Sequence, residues 1–228
     1  MLKKIFMTAV FSAASFVLCG AEMYEAAYQA GLAAEKRGDY AVAVDAYNEA
    51  VELVGTNTRI KAGILCRTAE CYRKSKQWDK AIALYRQVLE IKDAAAEEKG
   101  LSQLNIGAGL MMQGKYPEAI AAFEKVLAMK KLTWQKGQAQ INIGSCLRLQ
   151  KKYPEAVAAY EKVLTLENPL PGHVVESHRL SGLCLLLQKK YPQAKAACEK
   201  ALACREIREW QKKDCRRMLE QIKAASGF

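Results

Sequence analysis

The chain has 228 residues, 51% of them apolar, and a formal net charge of +11 from 35 basic and 24 acidic side chains. That apolar content excludes a disordered chain, and five prolines beside abundant Ala, Leu, Lys, Glu and Gln favour helix over sheet. Two histidines in the whole sequence leave little material for metal sites or imidazole catalysis.

At the start, Lys3 and Lys4 precede an uncharged apolar run from Ile5 to Leu18, and Cys19-Gly20-Ala21 offers small residues ahead of a cleavage after Ala21. This is the layout of a secretory signal peptide over 1–21, too short in its apolar part for a comfortable membrane span. The alternatives are a buried N-terminal helix and a lipoprotein anchored through Cys19. Leu18 stands where lipidation wants a small residue, and helical patterning resumes near Met23 without a tether. The expectation is plain export, to a periplasm or beyond the cell.

Most of the remaining chain is a repeat. GSCLRLQKKYPEAVAAYEKVL from Gly144 to Leu164 recurs as GLCLLLQKKYPQAKAACEKAL from Gly182 to Leu202, and as GAGLMMQGKYPEAIAAFEKVL from Gly107 to Leu127. More divergent copies run from Gly31 to Val51 and from Ala69 to Leu89. A fixed period of this size marks a stack of like supersecondary units. The expected bounds are about 24–56, 58–93, 96–131, 133–168 and 173–205.

Each copy reads as two helices. The first carries Gly31, Ala69, Gly107, Gly144 or Gly182, where a small side chain admits a close neighbour. The second opens on Tyr40, Trp78, Tyr116, Tyr153 or Tyr191 and presents an i, i+4, i+7 face such as Ala43, Tyr47, Ala50 or Ala156, Tyr160, Val163. Pro117, Pro154 and Pro192 fall in the first turn of a second helix, where a missing N–H costs nothing. Pro169 and Pro171 are expected in a linker before the fifth copy, with His173 beside them.

These residues resemble the tetratricopeptide repeat (TPR) family, over about Tyr24 to Arg205. The resemblance implies an all-α fold, a right-handed α-solenoid of five TPR-like helix hairpins plus a C-terminal capping helix. That last helix, 206–224, is polar and basic, and its Trp210-Gln211-Lys212 echoes Trp134-Gln135-Lys136. Basic residues there also suit an anionic partner; capping a terminal repeat is the favoured role. The period of 37 or 38 residues exceeds the family's usual 34, so helices or linkers should be about a turn longer.

Seven cysteines lie beyond residue 21, an odd number that leaves at least one thiol unpaired within a monomer. Cys71, Cys146 and Cys184 share a repeat position with Ala33 and Gly109, which points to a tight packing slot. Stacked equivalents sit about 10 Å apart, beyond disulfide reach. Cys204 with Cys215 is the one bridge expected to merit a test.

No phosphate loop, nucleophile elbow, HExxH or Cys–His pairing occurs, so no catalytic residue, metal or cofactor is expected and the chain does not read as an enzyme. The resemblance instead implies a concave groove for a protein partner, an extended peptide or a helix. Transferred groove positions are Tyr28, Arg67, Glu70, Arg73, Asn105, Met111, Asn142, Arg148, Arg179 and Leu186; the apolar ones also suit interhelical core. The chaperone-type carboxylate clamp is unsupported, because its positions hold Cys66, Glu70, Gln138 and Asn142. A second expectation is a basic ridge, Lys115, Lys151, Lys152, Lys189 and Lys190, continued by Lys36-Arg37 and Arg73-Lys74. It reads either as cations closing helices or as a contact for an anionic envelope surface. Nucleic acid is not expected, since no aromatics interleave the ridge.

Overall fold

The computed structural model describes residues 23–226, so the expected signal peptide lies outside them. Among these residues all regular structure is helical. The helices are α1 (23–37), α2 (Tyr40–Leu53), α3 (Thr58–Lys74), α4 (Trp78–Glu90), α5 (Ala96–Met112) and α6 (Tyr116–Ala128). Then come α7 (Thr133–Leu149), α8 (Tyr153–Glu161) with a 3-10 extension over Lys162–Thr165, α9 (Pro171–Leu187), α10 (Tyr191–Ala203) and α11 (Glu209–Ser226). They fall into two compact units that part between Gly109 and Leu110, within α5.

The same apolar face builds the core of each unit. In the first, Ala43, Tyr47 and Ala50 of α2 are fully buried with Ile64 and Cys71 of α3 against them, and Ala81, Tyr85 and Val88 repeat the set in α4. In the second, Ala119, Phe123, Val126 and then Ala156, Tyr160, Val163 are wholly enclosed, as are Ala194, Cys198 and Ala201. The first-helix glycines let the rings in. A Cβ on Gly144 would lie 2.5 Å from a Tyr160 ring carbon, and one on Gly31 would collide with the Tyr47 ring in the same way.

The shared small slot is a packing contact from the second hairpin onward. Cys71, Cys146 and Cys184 are fully buried there, and a Cβ on Gly109 would meet Ile82 at 3.0 Å. Ala33 is exposed instead, because no earlier hairpin stands against it among the described residues.

Every first helix closes in the same way. Gly38, Lys76, Gly114, Lys151 and Lys189 all adopt positive φ, between 60° and 85°. The N–H of each bonds the carbonyl three residues back and the next N–H reaches five back, as in Lys151 to Arg148 and Lys152 to Leu147, both 2.9 Å. This is the Schellman closure, and glycine is its least strained occupant. Lysine therefore stands at three positions at a cost of about 1 kcal/mol each. Lys151→Gly is expected to stabilise the chain by about that amount in chemical denaturation.

Two elements differ from the expectations. The Pro169–Pro171 segment is not all linker: Pro171 begins α9, with Leu170 extended ahead of it, so His173 is helical and buried. Proline suits that first turn because its absent N–H would have no partner there. Cys215 does not face Cys204. It packs on Cys198 in a cluster with Ala201 and Met218, while Cys204 Sγ turns to the Lys200 carbonyl at 3.3 Å. Through this cluster α11 covers the outer side of α10, and it also touches α9.

The polar residues early in the first helices find uses inside the core. Gln140 Nε2 donates to the Ala159 carbonyl at 2.9 Å, and Ser177 Oγ to the Tyr160 carbonyl at 2.6 Å. These carbonyls lie where α8 tightens into its 3-10 turn, so two buried side chains supply donors at the end of the helix.

Candidate functional site

Each unit carries a cleft walled by first helices. In the first unit it holds about 560 Å³ and contains Tyr28, Arg67, Glu70, Arg73 and Asn105 of the expected groove set, with Glu35, Tyr85 and Glu98. Its charges engage one another. Glu35 accepts Lys74 Nζ and the Tyr47 hydroxyl, both at 2.9 Å, and Arg67 at 3.4 Å. Arg67 Nε also donates to the Tyr28 hydroxyl at 2.9 Å, and Arg73 forks onto Glu70, which takes the Tyr85 hydroxyl at 3.2 Å as well. Glu98 accepts the Ala95 N–H at 3.0 Å at the start of α5. Burial pushes the Glu35 carboxyl up, but the hydrogen bonds from Lys74 and Tyr47 outweigh it and hold it below the ordinary carboxylate value. Such mutually neutralised pairs brace helices and leave little for a ligand.

The second unit is different. Its cleft, about 680 Å³, is walled by α7, the first half of α9, and the start of α11 with the residues before it. It gathers Asn142, Arg148 and Arg179 of the expected set, and adds Trp134, Trp210, His173 and Gln211. Trp134 is 45% exposed and Trp210 53%, which is unusual for the largest apolar side chains and places two flat surfaces at one opening.

Beneath them the polar groups divide. Arg179 is committed: its guanidinium forks onto Glu176, reaches Asp214 of α11 at 2.6 Å, and lies 5.1 Å from the Trp210 ring centre. Gln211 Nε2 donates to the same Glu176 at 3.0 Å. Asn142 accepts from Gln138 at 3.0 Å. Two groups stay unanswered, Arg148 Nε and His173 Nδ1, both buried without a protein hydrogen-bond partner. His173 Nδ1 lies against the bare Cα of Gly137, where a Cβ would collide with it, so the ring is wedged between α7 and α9 beneath the cleft.

Two groove candidates fall elsewhere. Leu186 packs half-buried on Cys198, Ala201, Cys215 and Met218, and so serves as interhelical core. Met111, half-buried near the end of α5, lines neither cleft. Of the ridge, Lys115, Lys152, Lys189 and Lys190 are exposed, as is Lys151, and all five belong to the second unit. The salt bridges among the described residues include none of them, whereas Arg37, Arg73 and Lys74 are paired with Asp39, Glu70 and Glu35.

Burial holds both histidines below their ordinary value, and for His178 the Lys200 charge adds to it. The folded chain thus resists a proton that the unfolded chain takes up near pH 6.5. Stability is expected to be level above that pH and to fall as pH drops below it. Urea midpoints of the parent and a His173→Asn/His178→Asn variant between pH 5 and 7.5 check this; the variant should lose most of the slope.

The tetratricopeptide repeat family matches residues 22–94, 61–132 and 135–207. The chain belongs to the tetratricopeptide repeat family. No curated protein matches the sequence. Among solved structures it is similar to MamA, with 19% identity over 82% of this chain and 93% of that one and a TM-score of 0.62. It is similar also to aspartyl phosphate phosphatase F from Bacillus subtilis, at 18% identity and TM-score 0.76 over 95% of this chain. The match spans 58% of that longer phosphatase. A third, YrrB, described as a TPR protein with an unusual peptide-binding site, is 14% identical with TM-score 0.56, covering 83% of this chain and 90% of its own. At such identities the likeness is one of fold.

Proposed function

We propose that this TPR chain is an exported, non-catalytic scaffold that holds a segment of a partner protein in the cleft between α7, α9 and α11. The observation that carries the reading is two half-exposed tryptophans at one cleft that Asn142, Arg148 and Arg179 also line. Flat aromatic faces supply contact area at low entropic cost, and the polar side chains that line the cleft offer partners for a peptide backbone. Among the described residues no cysteine lines this cleft, so His173 has no thiol there to activate. The unusual peptide-binding site of YrrB is a precedent within the fold. Export rests on the 1–21 leader pattern.

Peptides selected from a displayed random library on the full chain test the site. Trp134→Ala, a change to an exposed side chain, should leave the unfolding midpoint within about 0.5 kcal/mol and weaken the selected peptides at least about tenfold. Unchanged affinities would exclude the cleft as the binding site.

A second reading has its own support. Lysine occupies the strained turn position in the second, fourth and fifth repeats, where glycine would be cheaper, and a cation at a helix end returns only a few tenths of a kcal/mol. Strain retained at exposed lysines fits an electrostatic docking edge for an anionic envelope surface. Sedimentation with phosphatidylglycerol vesicles should then occur at low salt. It should vanish near 0.5 M salt, or when Lys151, Lys152, Lys189 and Lys190 become Glu.

A further inference from the structure

The position on the second helix that holds Tyr47, Tyr85, Phe123 and Tyr160 in four repeats holds Cys198 in the fifth. The helix packed over it, α11, supplies Cys215, and both residues are fully buried in one apolar cluster. Both side chains pack in that cluster between α10 and α11, and a Cβ on Gly182 would meet Cys198 Sγ at 3.0 Å, so the sulfur is closed in on its other side. The fifth repeat thus sets a cysteine, with a second cysteine in the same cluster, where the other repeats set a ring.

We propose that Cys198 and Cys215 are the site of a disulfide that staples α11 onto α10. The bond forms by thiol–disulfide exchange with a small disulfide of the oxidised-glutathione class, which reaches the buried pair when the terminal helix α11 opens from α10. Cys215, as thiolate, attacks one sulfur of that oxidant and expels its first thiolate. Cys198, once deprotonated, attacks Cys215 Sγ in the mixed disulfide and expels the second. Two cysteine thiols are oxidised to one S–S bond, and the oxidant is reduced to two thiols that carry the two protons. The order follows from the surroundings: the neighbouring Cys198 thiol and the Arg179 charge hold the Cys215 thiol low, while Cys215 and burial push Cys198 up.

The staple matters to the cleft, a consequence that rests on the peptide-binding function proposed for it. α11 brings Trp210, Gln211 and the Asp214 that grips Arg179. Oxidation would fix that wall in place.

The full chain is treated with oxidised glutathione, then alkylated in denaturant and mapped by peptide mass. The expected product links Cys198 to Cys215 with loss of two hydrogens, and amide exchange in α11 slows by about a hundredfold. In Cys198→Ser, Cys215 should retain glutathione as a stable mixed disulfide. Linkage through Cys204 or another cysteine, unaltered exchange in α11, or a Cys215 that takes up no glutathione in the variant would overturn the proposal. None of these readouts needs a bound peptide, so a missing staple leaves the peptide-binding function standing, and the reverse holds too.

Discussion

Tyr160→Ala should lower stability by about 3–5 kcal/mol, read from urea unfolding followed by circular dichroism. The ring is fully enclosed and lies against the bare Cα of Gly144, so truncation opens a cavity that neighbouring helices cannot close without losing their own contacts. Its hydroxyl pairs with Ser145 Oγ at 3.3 Å. Tyr160→Phe should therefore cost only about 1 kcal/mol, since Phe123 fills the same place one repeat earlier. Near-equal costs for the two changes would mean that the hydroxyl, not the ring, holds the repeat.

Arg179→Ala should cost about 3 kcal/mol and release α11. The side chain is 11% exposed and joins Glu176 on its own helix to Asp214 on α11, with Trp210 stacked beside it. Its removal leaves two carboxylates without the cation that both contact. Arg179→Lys should restore less than half, because an ammonium cannot fork onto Glu176 while reaching Asp214. Faster amide exchange confined to α11, with a shift in Trp210 emission, checks this. Uniform destabilisation along the second unit would instead make Arg179 part of the main core.

The repeat pattern made the hairpins legible because each buried face recurs at helical spacing. Ala156, Tyr160 and Val163 needed no tertiary information to be recognised as core. Local sequence also holds the tyrosine partners. Tyr85 and Tyr160 bond Glu70 and Ser145 fifteen residues earlier, and where Phe123 and Cys198 lack a hydroxyl the matching residues are Ala108 and Leu183.

The site was legible in part. Asn142, Arg148 and Arg179 reach the cleft, but Arg179 is spent on α11, a contact that depends on how a terminal helix docks. Trp134 and Trp210 stand out in a repeated Trp-Gln-Lys, yet only the fold brings two residues so far apart in sequence to one opening. The prolines around His173 spell a linker, when Pro171 in fact starts the helix that carries it. Cys215 meets Cys198 rather than Cys204, since α11 lies along α10 instead of folding back on the preceding turn.

The most direct measurement is the hydrogen-exchange footprint of a library-selected peptide on the full chain. A peptide seated in the second cleft predicts slowed exchange along α7, the first half of α9 and the start of α11, and loss of that protection in Trp134→Ala. Protection confined to the α10 surface or to the lysine turns, or a library that yields no binder at all, would contradict it.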